Sequence, residues 1–208
     1  MKTHNPFESS LLRYLTAQQL TTIQSQHIGI AGAGGLGSNI AVALVRTGFR
    51  HLTILDKDKV DASNLNRQDY TLTDIGKPKV KALKQRLIAI NPDVEIMAHE
   101  SEWTPQTADG FFGKCTILME AFDQADIKAT FVNWASAHAK HVISGNGMAG
   151  LMRKSPMTIK KIGNIYMVGD QTTSITDGNP PLAPRVVQCA AKMAEIVIDL
   201  TLDIPVLT

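Results

Sequence analysis

The sequence predicts an α/β fold: a Rossmann-like, mostly parallel sheet with helices on both faces and an antiparallel portion in the C-terminal third. Three observations predict it. Short apolar runs alternate with helix-periodic stretches over roughly residues 27–147. A glycine-rich turn, G-x-G-G-x-G through Gly32, Gly34, Gly35 and Gly37, joins the first apolar run to a helical stretch. Beyond residue 150 the pattern changes to two short apolar runs turned around Gly163-Asn164.

The elements follow in chain order. "TAQQLTTI" (residues 16–23) reads as a short helix, with Thr16 and Gln19 at capping-box spacing. "HIGIA" is a strand, and "LGSNIAVALVRTG" a helix with Ala41, Leu44 and Val45 on its apolar stripe and Gly48 as its stop. "HLTILD" is a second strand ending in acid; a loop through Asn64 and Arg67 leads to a helix from Pro78 to about Ala89. "VEIMAHE" and "CTILMEAF" are strand-like, "IKATFVNWASAH" is helical and "HVISGNG" is again a strand. "MTIKKIGNIYMVGD" forms the antiparallel pair, and residues 171–184 form a polar loop containing prolines. The last helix, "RVVQCAAKMAEIVIDLTL", has Pro184 near its start and an apolar stripe of Val186, Ala190, Met193, Val197 and Leu200. No internal repeat or linker divides the chain, so one domain over residues 1–208 is expected, with 1–25 as an N-terminal helical extension.

A 208-residue chain that is 44% hydrophobic can bury a sizeable core, and with aromatics at 5% its packing falls to aliphatic side chains. The formal net charge is +2 and Lys and Arg form no long run, which argues against nucleic acid as a partner. No stretch approaches the roughly 20 apolar residues of a membrane span, and "MKTHNPFESS" lacks an apolar signal core. A cytoplasmic, non-membrane protein is therefore expected. Cys115 and Cys189 stand far apart without a CxxC, so no structural zinc held by four thiolates is expected.

The glycine turn points to a nucleotide. Glycine lets backbone approach a phosphate, and the helix that follows offers unpaired amides to an anion. Asp56, ending the next strand, can accept from ribose hydroxyls. No GK[ST] closes the turn, so it is not a Walker A loop. An NAD dehydrogenase satisfies these features equally. The residues that follow favour a phosphate chain being cleaved: Asp58 and Asp61 add negative charge, and Arg67 and Lys79 supply cations beside Asn64 and Gln68. Asp123, after "TILMEAF", falls near the C-terminal sheet edge, where a carboxylate can hold Mg²⁺.

"GAGGLGS", "LDKDKVDASNLNRQ" and "IGKPKVKALKQRLIAINPDV", with "MEAFDQADIK" and "PPLAPRVVQCAAKMAEIVIDL" more loosely, resemble the ThiF-type adenylyltransferases. These activate small ubiquitin-fold sulfur-carrier proteins, as in thiamine and molybdopterin biosynthesis. The likeness runs from about residue 11 to 202, and the absence of zinc-binding cysteine pairs resembles the compact branch associated with thiamine. The resemblance implies ATP and Mg²⁺ as cofactors, a carrier with a C-terminal Gly-Gly tail as partner, and a homodimer. Gly32, Gly34, Gly35 and Gly37 would form the nucleotide turn, and Asp56 would hold the ribose. Asp58, Asn64, Arg67 and Gln68 would line the phosphates. Lys79 would reach the reacting centre, and Asp123 would match the metal-binding aspartate. Arg67, Lys79 and Asp123 are thus the expected catalytic set. Gln124 departs from the asparagine usual after that aspartate. An N-terminal arginine that reaches into the partner's site would correspond to Arg13, and Leu36, Val42 and Phe49 are apolar residues available to a dimer contact. From topology instead, because loops after strands gather at that edge, Asn146 and Gly147 are expected to border the cleft and residues 171–184 to close over a threaded glycine tail. His138 and His141 are read as structural or exposed.

The expected reaction is attack of the carrier's terminal carboxylate on the α-phosphorus of ATP, giving an acyl-adenylate and pyrophosphate. The nucleophile is already ionised, so no histidine base is demanded. The main alternative is related activation of another carboxylate, on a small molecule, a peptide or threonylcarbamoyladenosine in tRNA. A catalytically silent nucleotide-binding module is a further one.

Overall fold

A computed structural model describes residues 5–150, 156–173 and 178–207. Two helices, α1 (Pro6–Leu11) and α2 (Ala17–Gln24), precede the sheet. The core then runs β1 (His27–Ala31), α3 (Gly35–Thr47), β2 (His51–Leu55), α4 (Lys79–Ile90), β3 (Glu95–His99), α5 (Ala108–Phe112), β4 (Ile117–Glu120), α6 (Ala125–His138) and β5 (His141–Gly145). The hairpin β6 (Thr158–Ile162) and β7 (Ile165–Gly169) and the long α7 (Ala183–Thr201) complete it. The strands form one sheet in the order β3-β2-β1-β4-β5-β7-β6, parallel throughout except for β6 against β7.

The alternation of each strand explains the two layers. Ile28, Ile30, Leu52, Ile54, Ile117, Met119 and Ile143 point to the face covered by α3, α4 and α7. Ala31, Leu55, Leu118 and Val142 point to the opposite face, where α5 and α6 bring Phe112, Phe131 and Ala135. Strands buried on both faces are the reason these runs read as nearly continuous apolar stretches. The stripe expected on α7 is the one that packs: Val186, Ala190, Met193 and Val197 are buried, and Leu200 packs partly against the same cluster.

The Thr16–Gln19 capping box forms at the start of α2, and Gly48 ends α3 in the left-handed region. Helix α5 is an addition to the expected elements, and α1 falls within the expected helical extension 1–25 although its own bounds were not expected; they are five and six residues long and without readable periodicity. Tertiary contact holds α1: Glu8 is fully buried, pairs with the Arg50 guanidinium and accepts from Asn91 at 3.0 Å. Two residues offered to a dimer contact need correction. Phe49 (0% exposed) and Leu36 (6%) are core residues of the single chain, and only Val42 of the three is partly open. No helix among the described residues is long and apolar enough to cross a membrane.

Candidate nucleotide-activating site

The strand order reverses between β1 and β4. From β1 the chain winds outward through β2 to β3, then returns to β4 on the other side of β1. In sheets of this kind the connections leaving the C-terminal ends of two such strands diverge, and the crevice between them is the usual ligand position. One connection is the glycine turn; the other carries Asp123.

Neighbouring atoms explain three of the four glycines. A Cβ on Gly37 would stand 1.9 Å from the Gly32 carbonyl oxygen, and one on Gly32 2.6 Å from that of Ala121, where φ is also +104°. A Cβ on Gly35 would meet Val186 Cγ1 at 3.0 Å. Gly34 differs: the nearest atom to its absent Cβ is Gln68 Nε2, at an ordinary 3.8 Å. Among the described residues no neighbour demands a glycine there. Gly34 is also the N-cap of α3 and supplies no side-chain cap, which leaves the first-turn amides of that helix without a capping side chain; such helix starts commonly take anions.

Asp56 closes the other side of the turn. Its Oδ2 accepts from Ala33 N at 2.7 Å and its Oδ1 from Asp58 N at 2.8 Å, and each oxygen keeps a lone pair for a hydroxyl donor. Burial pushes its pKa up; the nearby Lys79 charge and the two backbone donors work against that rise. Lys79 is the first residue of α4, is itself buried, and donates to Asp58 Oδ2 at 2.8 Å. Asp56, Asp58 and Lys79 are therefore one electrostatic group.

Arg67 and Gln68 lie over the glycines. Arg67 Cγ is 3.5 Å from the position of a Gly35 Cβ, and Gln68 is buried with Oε1 lacking a hydrogen-bond partner among the described residues. Arg67 Nη1 donates to Asn66 Oδ1 at 2.8 Å and Ser63 O at 3.2 Å, which leaves most of the five guanidinium donors for an anion. Three residues absent from the sequence reading hold this segment down. Ser38 Oγ donates to Gly34 O (2.7 Å) and accepts from Asp69 N (3.0 Å). Asn39 Nδ2 donates to Gly35 O (2.6 Å) and Arg67 O (2.9 Å). Tyr70 hydroxyl lies 2.8 Å from Ala33 O and 3.3 Å from Lys79 O, and burial pushes its pKa far up, so it stays a donor. The signal was present: Ser38 and Asn39 are polar residues interrupting an apolar helical stretch.

Asn64 and Asp61 serve locally as well. Asn64 Oδ1 accepts from Asp61 N at 3.1 Å, and Asp61 caps the 3₁₀ turn Ala62–Asn64 through Ser63 N at 2.8 Å. Asp123 is exposed, two residues after the Ala121 carbonyl that touches Gly32. Lys57, whose pKa is raised first by its hydrogen bond to Glu102, also feels Asp123, which puts that carboxylate on the same edge as the end of β2. No trio of His, Cys, Asp or Glu side chains among the described residues forms a metal cage. Mg²⁺ commonly takes one or two carboxylates and completes its shell with substrate phosphates and water, and an exposed Asp123 fits that donor set.

The remaining expected residues divide clearly. Asn146 and Gly147 follow β5 on the same edge, with Asn146 Nδ2 donating to Gln171 Oε1 at 2.9 Å. Of the loop 171–184, residues 174–177 lie outside the described residues; Pro181 O accepts from Asn66 Nδ2 at 3.2 Å. His141 starts β5 at the far edge, and His138 stacks on Trp134 at 4.7 Å. Burial pushes the Cys115 and Cys189 thiols up to about 11 and about 12, so both are neutral at pH 7. Arg13 is exposed.

The description "ThiF family" matches residues 8–192. The chain is 30% identical over 158 residues to tRNA threonylcarbamoyladenosine dehydratase 2 of Saccharomyces cerevisiae, covering 74% of this chain and 35% of that protein. It is 39% identical over 94 residues to tRNA threonylcarbamoyladenosine dehydratase of Bacillus subtilis, covering 45% and 37%. The chain thus spans little more than a third of the length of these curated relatives. The E. coli tRNA N6-threonylcarbamoyladenosine dehydratase in complex with ATP has the same fold, with a TM-score of 0.82 at 20% identity over 94% of this chain and 93% of that one. With a matched span that takes in the glycine turn, Asp56, Arg67, Lys79 and Asp123, the chain belongs to the ThiF family.

Proposed function

We propose that this protein binds ATP in the β1–β4 crevice and adenylates a carboxylate, and that this carboxylate is carried by threonylcarbamoyladenosine in tRNA. One observation carries the reading: the bare backbone at Gly34 and the uncapped start of α3 meet Asp56, Arg67 and Lys79 at one sheet edge. The relatives named for threonylcarbamoyladenosine support that nucleoside over the sulfur-carrier tail and thiamine role expected from the sequence. The net charge of +2, which argued against tRNA, is an average over the chain and does not limit contact with a single reacting nucleoside.

The chemistry follows from charge. A carboxylate cannot expel oxide at neutral pH, so one of its oxygens attacks the α-phosphorus of ATP and pyrophosphate leaves. Two anions must approach, which calls for cations and oriented donors before any base. Asp56 holds the ribose, the α3 amides and the Arg67 fork take phosphate oxygens, and Lys79 leaves Asp58 to follow the phosphate chain. Asp123 would hold Mg²⁺, which when bound offsets charge on the departing pyrophosphate. The acyl-adenylate is then attacked at its carbonyl carbon by a nucleophile within the same modified nucleoside. AMP departs with the former carboxylate oxygen, so the net change in the nucleoside is loss of water. A single cytoplasmic unit acting as a homodimer completes the reading, and sedimentation tests the dimer.

ATP–pyrophosphate exchange tests the function. Exchange stimulated by tRNA bearing threonylcarbamoyladenosine, and not by unmodified tRNA or a carrier with a Gly-Gly tail, is the expected result. Exchange with the carrier alone would restore the sulfur-carrier reading. Tight ATP binding with no exchange in either case would make the protein a silent nucleotide-binding module.

A further inference from the structure

Behind the site, the ends of two adjacent strands, β4 and β5, meet in one cluster. Glu120, the last residue of β4, is in register with Ala31 of β1 and Ser144 of β5. Its side chain is fully buried and accepts from Ser144 Oγ at 2.6 Å, Phe122 N at 2.8 Å and the Lys128 ammonium. Lys128, in the second turn of α6, also donates to Gly145 O at 2.9 Å. One carboxylate and one ammonium therefore join the end of β4, the connection after it, α6 and the end of β5. That connection is the one whose Ala121 carbonyl seats against Gly32 and whose next residues lead to Asp123.

A buried ion pair is weak evidence for stability, because an apolar pair of similar volume commonly does as well. Such a pair is better at fixing one geometry, since it is satisfied in only one arrangement of its four attachments. We propose that Glu120 and Lys128, with Ser144, are positioning residues that set the Asp123 segment against the glycine turn. The proposal rests on the reading of Asp123 as the magnesium carboxylate. Glu120 and Lys128 touch neither nucleotide nor substrate; they act through the backbone of residues 121–124.

The test uses the full chain with a non-hydrolysable ATP analogue and Mn²⁺ as the spectroscopic probe. Removal of Lys128 alone strands the Glu120 carboxylate in the interior, so the informative variant is the neutral pair Glu120→Gln/Lys128→Met, beside Lys128→Arg and Asp123→Asn. Expected for the neutral pair are a cooperative thermal transition, faster amide exchange confined to residues 121–126, and Mn²⁺ binding weakened by about 10-fold or more, the usual scale for loss of such supporting contacts. Its kcat falls while KM for ATP changes little, and Lys128→Arg recovers most of both effects. A folded neutral pair with wild-type Mn²⁺ affinity and exchange, while Asp123→Asn weakens the metal, would overturn the positioning role alone. Unchanged Mn²⁺ affinity in Asp123→Asn would remove the metal role beneath it.

Discussion

Gly34→Ala separates binding from stability at the centre of the site. Among the described residues only Gln68 Nε2 lies within 4 Å of the absent Cβ, at 3.8 Å, so a methyl group meets no clash with them in the free protein. Replacing glycine by alanine at an N-cap is unfavourable, and about 1 kcal/mol is a reasonable upper scale for the loss of stability. Nucleotide binding should suffer much more. A methyl group at Gly34 holds a phosphate oxygen away from the first α3 amides, and each hydrogen bond to a charged group contributes about 1.5–3 kcal/mol. Loss of one such bond corresponds to a factor of roughly 10–150 in affinity. Calorimetric titration with ATP measures the affinity, and denaturant unfolding measures the stability of the same preparation. The reasoning fails if the variant binds ATP within about threefold of wild type, or if its affinity falls only as far as its folded fraction.

Arg67→Ala and Lys79→Ala should each lower ATP–pyrophosphate exchange by roughly 100-fold or more, the scale of lost transition-state electrostatics; unchanged exchange would remove that residue from the mechanism. Phe49→Ala should destabilise the chain by about 3–5 kcal/mol in urea unfolding, because the ring is a fully buried core group. A dimer-interface residue would instead alter sedimentation with little change in unfolding at low concentration. Asp170 gives a pH prediction. Burial opposes its ionisation, yet the Thr173 and Thr172 donors and Arg185, at 2.5 Å, hold its pKa below the usual 3.8. A carboxylate with a lowered folded pKa stabilises above its unfolded value and loses that contribution as pH falls through the folded one. Asp170→Asn should therefore be less stable than wild type at pH 7, and the gap in urea midpoint should narrow below pH 3.8. An equal gap at both ends would show that ionisation of Asp170 is not what matters.

Periodicity made the sheet legible. Strands buried on both faces and a glycine turn followed by an apolar helical stripe have few competing interpretations. The hairpin at Gly163-Asn164 was equally readable, because the residue types themselves specify the turn. The bounds of helix α1, within the helical extension expected over 1–25, were not legible because what holds it, Glu8 against Arg50 and Asn91, is distant in sequence. The site was half legible. Asp56, Arg67, Lys79 and Asp123 are charges at sheet edges and announce themselves. Ser38, Asn39 and Tyr70 act through backbone oxygens that only the folded chain brings into reach. Glu120 read as one polar residue at the end of an apolar run, and nothing local shows that Lys128 and Ser144 satisfy it. Leu36 and Phe49 misled for the opposite reason: an apolar side chain reads the same whether its partner is another chain or its own core.

The most direct test of the central claim follows one oxygen atom. Threonylcarbamoyladenosine in tRNA, labelled with ¹⁸O in its carboxylate, is incubated with the protein, ATP and Mg²⁺, and the AMP released is weighed by mass spectrometry. Adenylation of the carboxylate predicts AMP carrying a single ¹⁸O, formed together with pyrophosphate. Unlabelled AMP, or release of ADP and phosphate in its place, would contradict the account.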